Sequence, residues 1–361
     1  MNYFSKMTVF AVALFTVFSC TNSDDDVVNP SGKFVSTGIL ISNEGNFGSA
    51  NASIDILTNE GELQTDVFKK SNENKLLGDV LQGAFIDKDY TYLVVNNSNK
   101  VEVLEKGTHK IKFTITEELN LPRYVTVTND YILVTNNRST YAGQSDGYVS
   151  VYKKGDFSFH SNIEFPEQIE KIFSNEKYIY VQQSYFSTGN KIVKLDASTL
   201  KKLDEIVLAK NFSDMSWGTG KYFYALSNGE SKCNDFSACK EEINGEIYQI
   251  EKSTGTISKT FHFNSYATNI DHYYDDQVFF TTSNQVYKIN TKNKNAQPES
   301  IIQTEKNDWS NFYGFSVLKN KIYLSNVNGF ITSSDVYIYN NNGNLEKEFK
   351  GGRGVNDFYL Y

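Results

Sequence analysis

Seven times along the chain a short run rich in Tyr, Phe, Val, Ile and Thr ends near Asn, Ser or Gln, starting at Ile39, Tyr92, Ile132, Ile179, Phe223, Val278 and Ile322. The copies are spaced 40 to 55 residues apart. Each is followed by a second alternating run: SIDIL from Ser53, KVEVL from Lys100, YVSVY from Tyr148, KIVKL from Lys191, EIYQI from Glu246, QVYKI from Gln285 and DVYIY from Asp335. A period of two places successive side chains on opposite faces of a pleated strand. A unit this small cannot bury both faces by itself, so the repeats must stack on one another.

Six copies are also preceded by a candidate inner strand, beginning at Gln82, Arg123, Glu170, Ser213, Thr268 and Tyr313. The first copy lacks one, and a matching segment, Gly354 to Leu360, follows the last complete copy. Pairing that segment with the first copy would cover an open sheet edge, which is otherwise a template for aggregation. The expectation is an all-β, seven-bladed β-propeller over residues 37–361, its ring closed by the C-terminal strand joining blade one. The 14% aromatic content and only four prolines suit many short strands separated by Asn-, Gly- and Ser-rich turns.

The amino terminus reads as an export signal. Lys6 supplies a basic start, Met7 to Phe18 form an apolar stretch, and Val17, Phe18, Ser19 and Cys20 complete a lipobox. The stretch is shorter than the roughly 20 residues a membrane-spanning helix needs, so residues 1–19 are expected to be a removed signal peptide and Cys20 to be lipidated. The alternative is an ordinary secreted protein with an incidental cysteine. Residues 20–36, with Asp24, Asp25 and Asp26, form a flexible tether. The acidic run resembles the signal that sends Bacteroidetes lipoproteins to the outer face of the outer membrane; otherwise it merely keeps a linker solvated. The expected location is therefore the outer membrane, lipid-anchored and facing the exterior.

Turns such as Asn129–Asp130 and Lys319–Asn320 are tight, whereas the connections at 43–51, 136–147, 183–190, 228–244 and 326–334 exceed what a turn requires. Long loops in a compact domain usually carry function. In the expected topology they share one face, which makes Phe47, Arg138, Tyr141, Tyr185, Phe186, Phe236 and Phe330 candidate ligand-binding residues, with Arg123, Trp309 and Asn356 nearby. Aromatic rings offer rigid apolar area, and Asn and Ser offer paired donors and acceptors. The competing reading is that each ring packs its own loop against the body. Cys233 and Cys239 lie in the longest loop and read as a disulfide, since two thiolates without a nearby His are incomplete zinc ligation.

A net charge of −8 without a Lys/Arg cluster argues against nucleic acid. His109, His160, His262 and His272 show neither metal-ligand spacing nor a nucleophile motif, and no glycine-rich phosphate loop or calcium loop is present. No catalytic residue, metal or cofactor is expected; His272, beside Asp271 in an inner strand, is the best enzyme candidate.

The segments LGDVLQG from Leu77, YLVVNNSNKVEVL from Tyr92 and LPRYVTVTNDYILVTNN from Leu121 resemble the YVTN or YncE-type propellers. With NEGNFGSANASIDIL from Asn43 and the terminal GVNDFYL, the mature chain is similar to Bacteroidetes surface lipoproteins that capture cobalamin beside TonB-dependent transporters. That resemblance implies a corrinoid ligand landing on the loop-rich face and passing to an outer-membrane transporter. It carries no individual contact residue, because the loops are where such sequences diverge. The alternatives are a glycan-binding or adhesion propeller, and a propeller hydrolase or lyase.

Overall fold

The computed structural model describes residues 37–228 and 244–361. Residues 1–36, on which the expected signal peptide and the tether with Cys20 fall, and Phe236, Cys233 and Cys239 lie outside the described residues. Within them the regular secondary structure is almost all β-strand, relieved by one short helix, Val67–Ser71, and two single 3-10 turns.

Strand pairing divides into six sheets. Five have four strands, and the sixth has seven because one long strand, Lys202–Ser216, serves two neighbours. Its Asp204 to Val207 portion pairs with Gly189–Asp196, whereas Phe212 to Ser216 pair with Tyr222–Ser227. This corrects the expectation of seven separate sheets. Between the two pairing segments lie Leu208, Ala209, Lys210 and Asn211, which hold neither glycine nor proline; the irregularity falls at Asn211, whose φ is 60°. One strand therefore serves both halves of the seven-stranded sheet.

The C-terminal strand Val355–Leu360 pairs antiparallel with Ile39–Asn43, Phe358 opposite Ile41, so the two ends of the described chain share one sheet. Gly38 and Tyr361 exchange both backbone hydrogen bonds at its margin.

Burial explains the patterning. Central strands such as Tyr90–Val95 are buried on both faces, so Tyr92 to Val95 read as a continuous apolar run, whereas Lys100–Glu105 still alternates because its buried Glu102 is paired with Lys100. Outer strands such as Leu345–Lys350 keep one face in water and alternate. The apolar core fills the spaces between successive four-strand groups. Leu40, Ile54 and Ile56 meet Leu93, Val95 and Leu104; Tyr92 and Val103 meet Ile132 and Val134; Leu133 and Val151 meet Ile179 and Val193. The two halves of the seven-stranded sheet also pack face to face, Tyr180 and Ile192 against Phe223 and Ile250. Ile39, Ile41 and Phe358 meet Tyr323, Val336 and Ile338, bringing the last group against the first. Each fully buried Val, Leu, Ile or Phe contributes about 1.5–3 kcal/mol relative to exposure.

Polar side chains stitch the innermost strands together. Asn356 Nδ2 donates to the Leu81 carbonyl at 2.8 Å, Arg123 reaches Gln82 on one side and Glu170 on the other, and Lys171 pairs with Asp214. Asp214 accepts the Ile270 amide, Asp271 accepts the Val317 amide, and Ser316 donates to Asp357. These contacts join residues in Leu81–Ile86, Pro122–Val127, Lys202–Ser216, Asn269–Asp271, Asn311–Leu318 and Val355–Leu360, with Glu170 and Lys171 just ahead of Ile172–Ser174.

Candidate functional site

At the ends of these inner strands lies a cavity of about 710 Å³. Its lining falls into an exposed aromatic mouth and a buried polar floor. Phe47, Phe186 and Trp309 are 76%, 71% and 66% exposed, and Tyr266 adds a fourth ring. Apolar side chains this exposed are individually common, and their concentration around one opening makes it a candidate contact surface.

Each ring is held by local structure. The Phe47 loop is fixed by the Gly48 amide, which donates to both oxygens of Asp79 at 3.1 and 2.9 Å, and by Asn97 Nδ2 on the same carboxylate. Trp309 stacks on Phe330 with centroids 6.2 Å apart; Phe330 meets Tyr313 edge-on, and the Tyr313 hydroxyl donates to Glu44 at 2.8 Å. Phe186 sits edge-on against buried Tyr185 at 4.5 Å. Phe186 and Ser187 both have positive φ, 45° and 62°. Side chains other than glycine adopt that region at a cost of about 1–2 kcal/mol per residue, so the fold spends stability to hold a phenylalanine outward.

The floor is a network of charges. Arg123 donates from Nε and Nη2 to Glu170 at 2.9–3.2 Å and from Nη1 to Gln82 Oε1 at 2.7 Å, with the Tyr185 ring 5.3 Å from the guanidinium. Lys171 pairs with Asp214 at 2.6 Å. Burial raises the Glu170 carboxyl above its usual range, opposed by Arg123. Burial likewise raises Glu44, opposed by the Tyr313 hydroxyl, and Asp357, opposed by Lys171. Tyr124 is pushed up to about 12 by the same desolvation. Burial disfavours the Lys171 ammonium, but Asp214 and the surrounding groups outweigh it and raise its pKa.

Of the ten candidate ligand-binding residues, the cavity brings together Phe47, Arg123, Tyr185, Phe186, Trp309 and Asn356. Phe330 stands behind Trp309 as its support. Arg138 lies apart, paired with Asp146 and Glu164 and lying over the Tyr148 ring, and Tyr141 is 68% exposed outside the lining; only Thr140 of their loop reaches the cavity. Phe236 lies outside the described residues. Arg123 and Asn356 are lining and scaffold at once: Asn356 accepts the Ser42 hydroxyl at 2.5 Å while donating to Leu81.

Sequence reasoning missed Gln82, Glu170, Lys171, Gln182, Asp214 and Asp357 as site residues. The available signal was the polar residue opening most inner strands, where alternation turns a side chain towards the centre.

His272 is buried and absent from the lining. Its Nε2 lies 3.2 Å from the Tyr222 carbonyl, which only accepts, so Nε2 carries the proton and Nδ1 faces the Ser216 hydroxyl at 2.8 Å. Burial holds the ring neutral down to about pH 3. Neighbouring Asp271 is pushed by burial up to about 7 despite the Ser216 hydroxyl and two backbone amides. Among the described residues no group of three or more His, Cys, Asp or Glu could hold a metal ion.

A family described as a domain of unknown function (DUF5074) matches residues 37–360. No curated protein matches the chain. Among solved structures it is similar to a quinonprotein alcohol dehydrogenase-like protein from Bacteroides thetaiotaomicron, at 11% identity and TM-score 0.67, over 90% of this chain and 78% of that one. It is similar to the Dos1 propeller at 14% identity and TM-score 0.56, over 86% and 77% of the two chains. Virginiamycin B lyase from Staphylococcus aureus matches at 13% identity and TM-score 0.53, over 74% and 83%. At such identities the likeness shows a propeller fold and no shared chemistry.

Proposed function

This chain belongs to the family of that domain of unknown function, and we propose that it is a non-enzymatic capture propeller whose ligand is cobalamin or a related corrinoid. In this reading the long strand Lys202–Ser216 is shared between two blades, which makes seven around the cavity, and Val355–Leu360 closes the ring onto the first. Cys20 anchors the protein by lipid to the outer membrane, facing the exterior, and the ligand passes to a TonB-dependent transporter.

The observation that carries the reading is the pairing of an exposed aromatic mouth with a cavity of about 710 Å³ whose polar floor is fixed in advance. Large ligands with flat faces and amide fringes suit such a site: rings supply apolar contact at low entropic cost, and ordered polar groups set orientation. The enzyme candidate His272 is enclosed, with both ring nitrogens engaged, and does not line the cavity. Exposed rings also stack on sugar faces, which keeps glycan binding as the second reading.

Calorimetry of the purified protein with cyanocobalamin and with cobinamide, which lacks the lower base, tests this. Saturable heat with either supports corrinoid capture, and a difference between them shows that the base is read. Absence of heat with both, together with a positive glycan array, would replace the corrinoid by a carbohydrate.

A further inference from the structure

The cavity floor holds acceptors in excess of donors. Its carboxyl groups are Glu170 and Asp214, which are buried, and Glu44 and Asp357, which are partly buried, against two cations, Arg123 and Lys171. Both cations already have a carboxylate partner: Arg123 holds Glu170 and Lys171 holds Asp214. An anion entering the floor would have to compete with a buried ion pair, and breaking such a pair leaves an uncompensated charge.

Two acceptors, by contrast, are unfilled. Gln182 is 1% exposed and lines the cavity, yet its Oε1 has no hydrogen-bond partner. Its orientation is fixed because Nε2 donates to the Ser213 carbonyl at 3.1 Å; turning the amide over would set oxygen against oxygen. A buried amide oxygen without a donor costs about 1–3 kcal/mol, and a ligand N–H would remove that cost. The second is Glu44, which receives the Tyr313 hydroxyl on Oε2 and leaves Oε1 without a hydrogen bond among the described residues.

Resting on the corrinoid reading, we propose that this floor selects an uncharged primary-amide edge of the ligand and rejects carboxylates, with Gln182 Oε1 and the Glu44 carboxyl receiving the ligand's N–H groups. Specificity of this kind is strong because a site built to pair with N–H is left unsatisfied by an analogue that lacks it. A carboxylate in the same place adds repulsion between like charges.

The test is calorimetry of the purified protein at pH 7.5 with cyanocobalamin and, separately, with each of its monocarboxylic acids, in which one peripheral propionamide has been hydrolysed. At least one monoacid should bind ten or more times more weakly than the parent amide. In Glu44→Gln, and independently in Gln182→Met should the first variant not fold, the ratio between amide and acid should fall at least threefold. Equal affinity for the amide and every acid would overturn the proposal and leave corrinoid capture standing. Binding of none of them would sink both, and an unchanged ratio in the folded variants would remove the assigned acceptors.

Discussion

The mouth and the floor of the cavity are built on opposite principles. Phe47, Phe186 and Trp309 stand in water on loops, and little of the core depends on them. Arg123, Glu170, Lys171 and Asp214 are enclosed, and the same contacts that shape the floor tie neighbouring strands together. The mouth is therefore free to change with little effect on stability, while the floor cannot change without disturbing the fold. The comparison divides variants into two classes that can be measured apart, by unfolding and by binding.

The largest expected effect falls on the floor. Arg123→Leu leaves Glu170 buried without its cation and Gln82 Oε1 without its donor. Loss of one partner of a buried pair costs about 3–5 kcal/mol, so the urea midpoint should fall by that free energy divided by the transition's slope. Wild-type stability in this variant would mean that the floor is not structural, and the contrast with the mouth would collapse.

Next comes a pH signature from beneath the floor. His272 has a folded pKa near 3 against an ordinary 6.5, so between those values the unfolded chain binds the extra proton. Its contribution is present above about pH 6.5 and is lost as the pH falls towards 3. Asp271, raised to about 7, has the opposite sign: the folded chain holds its proton, and stability falls as the pH rises from about 4 to 7. The two oppose each other over the acidic range. His272→Phe, which keeps a ring against Tyr224, should change the slope of unfolding free energy against pH by about 1.4 kcal/mol per unit between pH 4 and 6, one proton's worth. An unaltered slope would show that the ring already titrates in the folded protein.

At the mouth, Trp309→Ala should weaken ligand binding about tenfold, about 1.4 kcal/mol, in line with the cost of truncating an exposed aromatic anchor. Because Trp309 touches solvent over most of its surface, the unfolding midpoint should stay within about 0.5 kcal/mol of wild type. Calorimetry beside thermal unfolding separates the two. A large loss of stability instead would move Trp309 from mouth to scaffold, with the Phe330 and Tyr313 stack as the reason.

Legibility in the sequence followed the same division. The strands showed themselves in two ways: through apolar runs such as Tyr92 to Val95, where burial on two faces demands apolar residues, and through period-two runs such as Lys100–Glu105. The C-terminal partner of the first strand was legible because the first copy lacked an inner strand. The shared strand Lys202–Ser216 was not, since Leu208 to Asn211 look like any connection, and the left-handed turn at Asn211, φ 60°, gives no sign in the sequence that pairing resumes directly after it. At the site, Phe47 and Phe186 stood out as aromatics in long loops, and Trp309 as an aromatic expected beside them. Gln182 and Asp214 did not: a polar residue on a strand ordinarily means solvent, and only the convergence of strands distant in sequence turns it into a cavity floor. Arg138 failed for the converse reason, because loop membership alone does not fix the direction of a side chain.

Arg138 supplies the smallest effect and the sharpest control. It shares a loop with Thr140, which lines the cavity, yet its guanidinium is held by Asp146 at 2.7 Å and Glu164 at 2.9 Å over the Tyr148 ring. All three charged groups are more than a third exposed, so water screens the pairs, and exposed pairs of this kind contribute about 0–1 kcal/mol. Arg138→Ala should therefore leave ligand affinity within twofold of wild type and cost less than about 0.5 kcal/mol of stability, an effect that added salt should shrink further. A tenfold loss of affinity in this variant would extend the binding surface beyond the cavity onto the 136–147 loop, and the boundary between mouth and periphery would have to be redrawn around Tyr141 as well.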